Sequence, residues 1–467
     1  MKKDFDMIVI GAGSAGFSAA ITAANEGARV ALIGHGTIGG TCVNVGCVPS
    51  KAMIRAMETL HITHVADRFD GIEATAKITD WKAIIAQKQA LVDDLRVAKY
   101  VDVLPSYNNI SYIEGAASFD ENGGLTVDGA ALEAPKIIIA TGARQHVPDI
   151  LGLDGVDYLD STSVLQLDAL PASLVIMGGG YIGVEIAQIF ARAGSAVTIV
   201  TRRGILPEAE PVISAALTEY FQAEGITILK GLTYNSVEKT DGGITLQVTS
   251  DGKPLAITGE HLLLATGRAP NTELLNLGNA GIEGDSRGGI KVDAKMRSSR
   301  IGVYAAGDVT GQDQFVYMAA YGAKLAAQNA MNGDSLSYGN TAMPAVVFSD
   351  PQVASVGLTE ATAKAQGIDT VTSVLHLEHV PRALAARDTR GLIKLVADKA
   401  TKKLLGAHII APEGADSIQT AVMAIKAGMT YEDLGATIFP YLTTVEGLKL
   451  AAQTFDKDVS KLSCCAG

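Results

Sequence analysis

At 467 residues the chain is too long for a single hydrophobic core, so two to four domains are expected. Hydrophobic residues make up 48% and charged residues 19%, a globular composition that argues against intrinsic disorder. The formal net charge is -12 and Lys and Arg are scattered, which argues against nucleic-acid binding. Met7–Ile10 is too short for a secretory signal and no apolar run reaches the roughly 20 residues of a membrane span, so we expect a cytoplasmic protein without membrane insertion.

The first predicted unit is a strand, a glycine turn, a helix and a second strand. The strands are expected at Met7–Ile10 and 29–33, and the helix is expected to run to about Asn25. Glycines in GxGxxG spacing permit a tight turn and let the backbone approach a pyrophosphate at the helix N-terminus. The predicted dinucleotide contacts in this turn are Gly11, Gly13, Ala15 and Gly16. Gly34 stands where an acid usually binds the ribose, so that contact stays open, with His35 or a backbone group as candidates.

The segment 39–51, GGTCVNVGCVPSK, contains Cys42 and Cys47, two of only four cysteines in the chain. Four residues separate them, so they are close enough to bridge if disulfide geometry is met. Pro49 and the apolar pattern after it predict the start of a helix, where a cysteine with Lys51 nearby has a lowered pKa and a reactive thiolate. The spacing is not C-x-x-C, and a structural zinc site is disfavoured because no His or second cysteine pair lies nearby.

Two matched strands end in Ala-Thr-Gly, at 137–143 (IIIATGA) and 262–270 (LLLATGRAP). Glycine there allows the chain to turn beside a cofactor, which makes Thr141, Gly142 and Gly267 candidate contacts. A further strand, 303–309 (VYAAGDV), places Asp308 where it would accept a hydrogen bond from the ribityl chain of a flavin. A turn-forming aspartate is the alternative interpretation.

The strand–turn–helix–strand unit recurs in the middle of the chain. Strands are expected at 174–177 and Ala196–Val200, with a helix running to about Ala193. The glycines of this second turn are Gly178, Gly180 and Gly183. Two such units predict two dinucleotides. In place of the NAD-selecting acid stand Arg202 and Arg203, which suit the 2′-phosphate of NADPH, although two solvated loop arginines are the alternative.

The second cysteine pair, Cys464 and Cys465, lies near the C-terminal end of the sequence. Adjacent thiolates form a soft site that selects thiophilic metals. Two incidental cysteines are the alternative.

On these motifs the chain resembles the pyridine nucleotide–disulfide oxidoreductases along essentially its whole length. Within that family it is most similar to the Hg(II)-reducing branch, in the segments GTCVNVGCVPSK, DQFVYMAAYG, MPAVVFSDPQVASVG and FPYLTTVEGLKLAAQTF and in the final SCCAG. The resemblance implies an α/β fold with two Rossmann-like domains, for FAD and NADPH, and a C-terminal α+β dimerisation domain. We expect the FAD domain at 1–149 and 270–339, the NADPH domain at 150–269 and the dimerisation domain at 340–467.

The resemblance also implies roles for individual residues. Cys47 is expected to face the flavin as the charge-transfer thiolate, with Cys42 as the interchange thiol. Lys51 is expected near the flavin with Glu185 as its partner, and Tyr181 is expected to cover the nicotinamide pocket. Further implied cofactor contacts are Gly40, Thr41, Ile182 and Val316.

The segment 439–446, FPYLTTVE, departs from the disulfide reductases because it lacks the histidine that protonates the leaving thiol in those enzymes. Tyr441 stands in its place, five residues before Glu446, and a tyrosine is no base near neutral pH. We expect it to steady a metal–thiolate complex together with Tyr158.

The predicted function is therefore NADPH-dependent, FAD-mediated reduction of Hg(II), supplied as thiol complexes, in a homodimer with shared active sites. The ion would pass from Cys464 and Cys465 of one subunit to Cys42 and Cys47 of the other, so all four are predicted metal ligands. The alternatives are a reductase of dihydrolipoamide or glutathione disulfide, and a metal-sequestering thiol protein.

Overall fold

The computed structural model describes residues 5–459. Its first part contains eight strands: β1 (Met7–Ile10), β2 (Val30–Gly34), β3 (Ile110–Glu114), β4 (Ala117–Phe119), β5 (Leu125–Val127), β6 (Ala130–Ala131), β7 (Lys136–Ile139) and β8 (Ala143–Gln145). The helices of this part are α1 (Ser14–Asn25), α2 (Gly40–Asn44), α3 (Cys47–His64) and α4 (Trp81–Arg96). A π-helical turn, Val97–Val101, continues α4.

The first sheet is parallel around β1, which pairs with β2 on one side and with β7 on the other. All four residues of β1 are buried, as expected for a strand covered on both faces. The predicted strand and the end of the first helix at Asn25 are confirmed, whereas β2 begins and ends one residue later than predicted. We call this part, which a later strand and helix complete, the first unit.

The second unit has the same design. Its strands are β9 (Ser173–Met177), β10 (Ala196–Val200), β11 (Thr227–Leu229), β12 (Thr233–Thr240), β13 (Gly243–Ser250), β14 (Lys253–Gly259), β15 (His261–Leu264) and β16 (Arg268–Pro270). Its helices are α5 (Tyr181–Ala193) and α6 (Pro211–Ala223). A parallel sheet of order β11-β10-β9-β15 lies beside an antiparallel sheet of order β12-β13-β14. The predicted helix end at Ala193 and the strand Ala196–Val200 are confirmed.

The chain then returns to the first sheet. Strand β17 (Val303–Ala305) pairs in parallel with β7, which gives the order β17-β7-β1-β2-β3. Helix α7 (Val316–Asn332) packs against α1, and the Ser18 hydroxyl donates to the Ala320 carbonyl oxygen at 2.7 Å. The first unit is therefore built from two separated stretches of sequence.

The C-terminal unit (residues 344–453) contains β18 (Pro344–Val347), β19 (Gln352–Gly357), α8 (Glu360–Ala365), β20 (Thr370–His376), α9 (Pro381–Ala386), β21 (Leu392–Asp398), β22 (Leu404–Ala411), α10 (Gly414–Lys426), α11 (Tyr431–Ala436) and α12 (Glu446–Gln453). Its antiparallel sheet has the order β18-β19-β22-β21-β20. Residues such as Ile393 and Ile409 on the sheet share a core with Ile418 and Leu448 on the helices. The predicted fold class is confirmed. No helix of the described range is both long and apolar enough to cross a membrane.

Candidate active site

A cleft of about 940 Å³ runs between the first unit, helix α5 and the start of the C-terminal unit. This volume lies near the upper end of ligand pockets, as a dinucleotide requires. The predicted site residues that line it are Gly11, Gly13, Ala15, Gly40, Thr41, Cys42, Cys47, Lys51, Thr141, Gly142, Tyr181, Ile182, Glu185, Asp308 and Val316. The two units and the cysteine segment therefore meet at one site.

The two glycine turns have the same backbone conformation. Gly11 has φ +117° and Gly178 has φ +120°, values that L side chains rarely adopt. A Cβ on either glycine would overlap a carbonyl oxygen, that of Ala140 or of Ala265. A Cβ on Gly16 or Gly183 would likewise overlap the carbonyl oxygen of the first glycine of its turn. Both turns therefore keep the helix N-terminus close to the sheet edge, as phosphate binding requires.

Gly34 ends β2 at the position of the usual ribose-binding acid. A Cβ on Gly34 would overlap the hydroxyl end of the Tyr112 ring, which reaches across from the neighbouring strand β3. No side chain fits at this position while Tyr112 holds that space. His35, the predicted substitute, lines the cleft.

The two cysteines lie on consecutive helices, Cys42 within α2 and Cys47 at the start of α3. Both cysteines are partly buried free thiols, and Cys47 is the first residue of α3. The hydrogen bond from the Cys42 thiol lowers the pKa of Cys47 to about 7, with further help from the positive charge of Lys51 and against the effect of burial. The same hydrogen bond, followed by burial, raises the pKa of Cys42. This arrangement favours Cys47 as the thiolate of the pair, with Cys42 as the donor of the hydrogen bond.

Lys51 lies one turn after Cys47 and is held from two sides. Its Nζ donates to Glu185 Oε2 at 2.7 Å and lies 4.8 Å from the centre of the Phe348 ring. Glu185 is buried on α5, and its other oxygen accepts the Phe348 backbone N–H at 2.9 Å. The predicted Lys51–Glu185 pair is therefore present, together with a ring from the C-terminal unit.

Asp308 lines the cleft below the first glycine turn. Burial raises the pKa of its carboxyl, against the effect of Arg268, whose Nε lies 3.5 Å from Asp308 Oδ2. Thr141 is fixed by its hydroxyl, which donates to the Asn271 carbonyl oxygen at 2.7 Å. Val316 begins α7, so the N-terminus of that helix also faces the cleft.

The residues predicted to select NADPH lie outside this cleft, at the end of β10. Arg202 and Arg203 are exposed. Arg203 Nη1 lies 2.7 Å from Glu208 Oε1, and the Arg202 guanidinium stacks 5.2 Å from the centre of the Tyr234 ring. Gly180 is the N-cap of α5, and Gly267 has φ +108° in the turn after β15.

Neither of the predicted tyrosines lines the cleft. Tyr158 is partly buried and packs against the core of the second unit. Tyr441 lies in a loop of the C-terminal unit, 54% exposed, beside the exposed Leu442. Glu446 Oε2 accepts the Leu442 backbone N–H at 3.3 Å, so this carboxylate is bound to its own loop.

The C-terminal pair, Cys464 and Cys465, lies outside the described residues. Among residues 5–459, no group of three or more His, Cys, Asp or Glu side chains is placed to hold a metal ion.

Three side chains near the cysteines were not predicted from the sequence. Tyr100 lies on the π turn, a feature often found at functional sites, and its hydroxyl hydrogen-bonds with that of Ser14 at 3.1 Å. Burial, followed by the two cysteines, raises the pKa of Tyr100. Tyr317 and Phe348 line the cleft from α7 and the C-terminal unit. Two of them carried a sequence signal, since Tyr317 lies within the DQFVYMAAYG segment and Phe348 within the MPAVVFSDPQVASVG segment.

Comparison with known proteins assigns a class to this fold and site. Residues 5–330 match the family model "Pyridine nucleotide-disulphide oxidoreductase", and residues 343–452 match its dimerisation domain. The chain therefore belongs to the pyridine nucleotide–disulphide oxidoreductases, enzymes that use a flavin and a pyridine nucleotide. The family inferred from the motifs is confirmed.

Within this family the chain is similar to proteins named mercuric reductase. It is 47% identical to that of Bacillus cereus over 99% of this chain and 73% of the relative. It is 46% identical to that of Streptomyces lividans over 99% of this chain and 98% of the relative. The solved Cu(II) complex of the HOCl-induced flavoprotein disulfide reductase RclA from Escherichia coli superposes with a TM-score of 0.85 at 32% identity, covering 97% and 99% of the two chains.

Proposed function

We propose that this chain reduces Hg(II) to Hg(0) with electrons from NADPH and FAD. The observation that carries the proposal is the similarity to mercuric reductases over 99% of the chain, which includes the whole cleft. Hg(II) is a soft ion that prefers two thiolates in a near-linear arrangement, and the cleft presents two thiols.

FAD fits the larger part of the cleft. A Cβ on Gly11 or Gly16 would overlap backbone, so glycines at these positions bring the N-terminus of α1 close to the sheet edge, where a pyrophosphate binds. Asp308 and the N-terminus of α7 line the same cleft as Lys51 and the cysteines. When bound, the flavin would supply the route for the electron pair between the nicotinamide and the metal–thiolate site.

The cysteine pair binds the ion by successive ligand exchange. Cys42, the interchange thiol, exchanges first and passes its proton to the thiolate that it displaces, and the Cys47 thiolate follows. Each exchange releases one thiol from the incoming complex. The overall reaction balances as NADPH plus Hg(II) giving NADP⁺, one proton and Hg(0).

Delivery of the ion is assigned to Cys464 and Cys465 of the partner subunit in a homodimer. The dimerisation domain of the family and the exposed apolar loop around Tyr441 and Leu442 support a subunit contact. Tyr441 would then steady the ion in the partner's cleft. We assign NADPH to the second turn on the basis of Arg202 and Arg203, whose exposed guanidinium groups suit a 2′-phosphate.

The second candidate function is disulfide reduction, which the family name describes. Two observations weigh against it in this chain. Segment 439–446 has no histidine, and the carboxylate of Glu446 is bound to its own loop. A leaving thiolate would therefore lack the usual proton donor.

The deciding experiment measures NADPH oxidation by the FAD-loaded enzyme with Hg(II), glutathione disulfide and lipoamide side by side. We expect steady turnover with Hg(II) and release of Hg(0), with rates near background for both disulfides. Faster turnover with either disulfide would overturn the proposal. A single stoichiometric burst with Hg(II) would instead indicate a metal-sequestering protein.

A further inference from the structure

The two arginines that follow β10 make different contacts. The Arg203 guanidinium is paired, with Nη1 at 2.7 Å from Oε1 of the exposed Glu208. The Arg202 guanidinium lies over the ring of Tyr234, 5.2 Å from its centre. Within residues 5–459, Arg202 forms no ion pair and no side-chain hydrogen bond. A guanidinium that stacks through its face keeps the N–H groups of its edge free to donate, so Arg202 is available to an incoming anion.

Tyr234 is held firmly on β12. Its hydroxyl donates to the Val200 carbonyl oxygen at 3.0 Å, and its ring packs against the core of the second unit. Burial raises the pKa of Tyr234 to about 12, against the effect of Arg202, so the hydroxyl remains a donor at neutral pH. Directly after Tyr234, the pairing of β12 with β13 skips Asn235. Such bulges re-aim side chains and are frequent beside active sites, so the ring forms a fixed platform at the end of β10.

The loop 201–206, which carries Arg202, folds back onto the second glycine turn. The Leu206 N–H donates to the Gly179 carbonyl oxygen at 2.7 Å. A Cβ on Gly179 would overlap the carbonyl oxygen of Gly204, so loop and turn are in direct contact. Arg202 therefore lies at the carboxyl ends of the parallel strands β9 and β10, where sheets of this kind bind their ligands.

We propose that Tyr234 is a positioning residue for cofactor selection, whose ring holds the Arg202 guanidinium ready for a 2′-phosphate. Arg203, which is occupied by Glu208, contributes less. The inference rests on the proposed function for the use of NADPH and deepens it. A guanidinium that is held in place before binding loses less conformational freedom when it binds the phosphate. The platform therefore favours NADP⁺ over NAD⁺, which lacks that phosphate.

The test is calorimetric titration of the oxidised, FAD-loaded enzyme with NADP⁺ and with NAD⁺. The ratio of the two dissociation constants measures the preference, and no Hg(II) is present. Tyr234→Leu removes the platform, and we expect it to lower the preference for NADP⁺ by about threefold or more. Tyr234→Phe is the matched control, because it keeps the ring and loses only the hydroxyl bond to Val200. It should retain the preference of the unmodified enzyme.

A double variant separates the platform from a general effect on the fold. Tyr234→Leu combined with Arg202→Ala should show the same preference as Arg202→Ala alone, since the ring has no guanidinium left to hold. Arg202→Ala should lower the preference more than Arg203→Ala. Tyr234→Met, which fills similar space without a π face, replaces Tyr234→Leu if that variant does not fold.

Four results would overturn the inference. They are an equal loss of affinity for both cofactors in Tyr234→Leu, the same loss of preference in Tyr234→Phe, a further loss in the double variant, and a larger loss in Arg203→Ala than in Arg202→Ala. Equal affinity of the unmodified enzyme for NADP⁺ and NAD⁺ would instead reject the NADPH assignment itself, and the platform with it. A preference for NADP⁺ that survives Tyr234→Leu would reject the platform alone.

Discussion

The hydroxyl end of Tyr112 occupies the space that a side chain at Gly34 would need. The contact links β2 to the neighbouring strand β3 at the position where a ribose-binding acid is usually found. It shows why the acid cannot simply be restored. We therefore expect the flavin adenosine to be held by the glycine turn and by groups such as His35.

The first prediction concerns Gly34→Glu. We expect the new side chain to displace Tyr112 and to weaken FAD binding by about tenfold or more, because the ring would be pushed into the sheet edge. Reconstitution of apoprotein, followed by flavin fluorescence, gives the dissociation constant. The unmodified chain should bind one FAD.

Gly34→Glu combined with Tyr112→Ala should recover FAD binding, and Tyr112→Ala alone is the control. Tight FAD binding by the single Gly34→Glu variant would contradict the steric argument.

The second prediction concerns the pH dependence of the inner pair. Thiolate forms as pH rises, so the charge-transfer absorbance of the two-electron-reduced enzyme should grow through pH about 7 and be lost below it. In Cys42→Ala, the same absorbance is measured with the flavin oxidised. Its pH midpoint should rise, because Cys47 has lost the hydrogen bond that most lowers its pKa.

Cys47→Ala should have no such absorbance at any pH. Either replacement should abolish Hg(II) turnover. A long-wavelength band that survives in Cys47→Ala would assign the thiolate to the other cysteine.

The third prediction concerns the choice of nicotinamide cofactor. Changing Arg202 and Arg203 to Ala should lower kcat/KM for NADPH by about tenfold or more and spare NADH, because the charge-assisted contacts to a 2′-phosphate are lost. Initial rates with both cofactors measure the ratio. Arg287→Ala, an exposed arginine far along the chain, controls for net charge. Equal kinetics with NADPH and NADH in the unmodified enzyme would overturn the assignment.

The fourth prediction concerns Cys464 and Cys465. Their double replacement by Ala should leave flavin reduction by NADPH intact, since delivery is separate from electron transfer. Turnover should fail when Hg(II) arrives as a bulky dithiol complex, because a buried pair needs an accessible intermediate acceptor.

Mixed dimers test whether delivery crosses the interface. A heterodimer of this variant with a Cys42→Ala chain has one site with an intact inner pair and an intact partner tail. Activity recovered in verified heterodimers supports delivery between subunits. Heterodimers without activity would mean that Cys464 and Cys465 serve the site of their own subunit or take no part in catalysis.

The glycine turns were predictable because their requirement is local. Gly11 and Gly178 adopt backbone conformations that few other residues accept, and each follows a short apolar strand, so spacing alone located both turns. The same holds for Ala196–Val200, whose apolar run marks a buried strand. The helix that begins in the cysteine segment was also predictable from local sequence, since Pro49 marks its first turn.

Contacts between distant parts of the sequence were not predictable in this way. Phe348 reaches Glu185 across the boundary between two units, and no periodic pattern links them. Tyr100 reaches Ser14 through a π turn that a helical pattern does not signal. Tyr158 was chosen by resemblance and stays a prediction; its half-buried ring packs against the core of its own unit.

The return of the chain to its first sheet has a consequence for biosynthesis. Strand β17 pairs with β7 only after residues 303–305 have left the ribosome, and Asp308 and α7 follow them. Until then β7 is an open apolar edge, which invites pairing with other chains. We therefore expect flavin capture to be a late event, and a nascent chain stalled before residue 303 to depend on chaperones to remain monomeric.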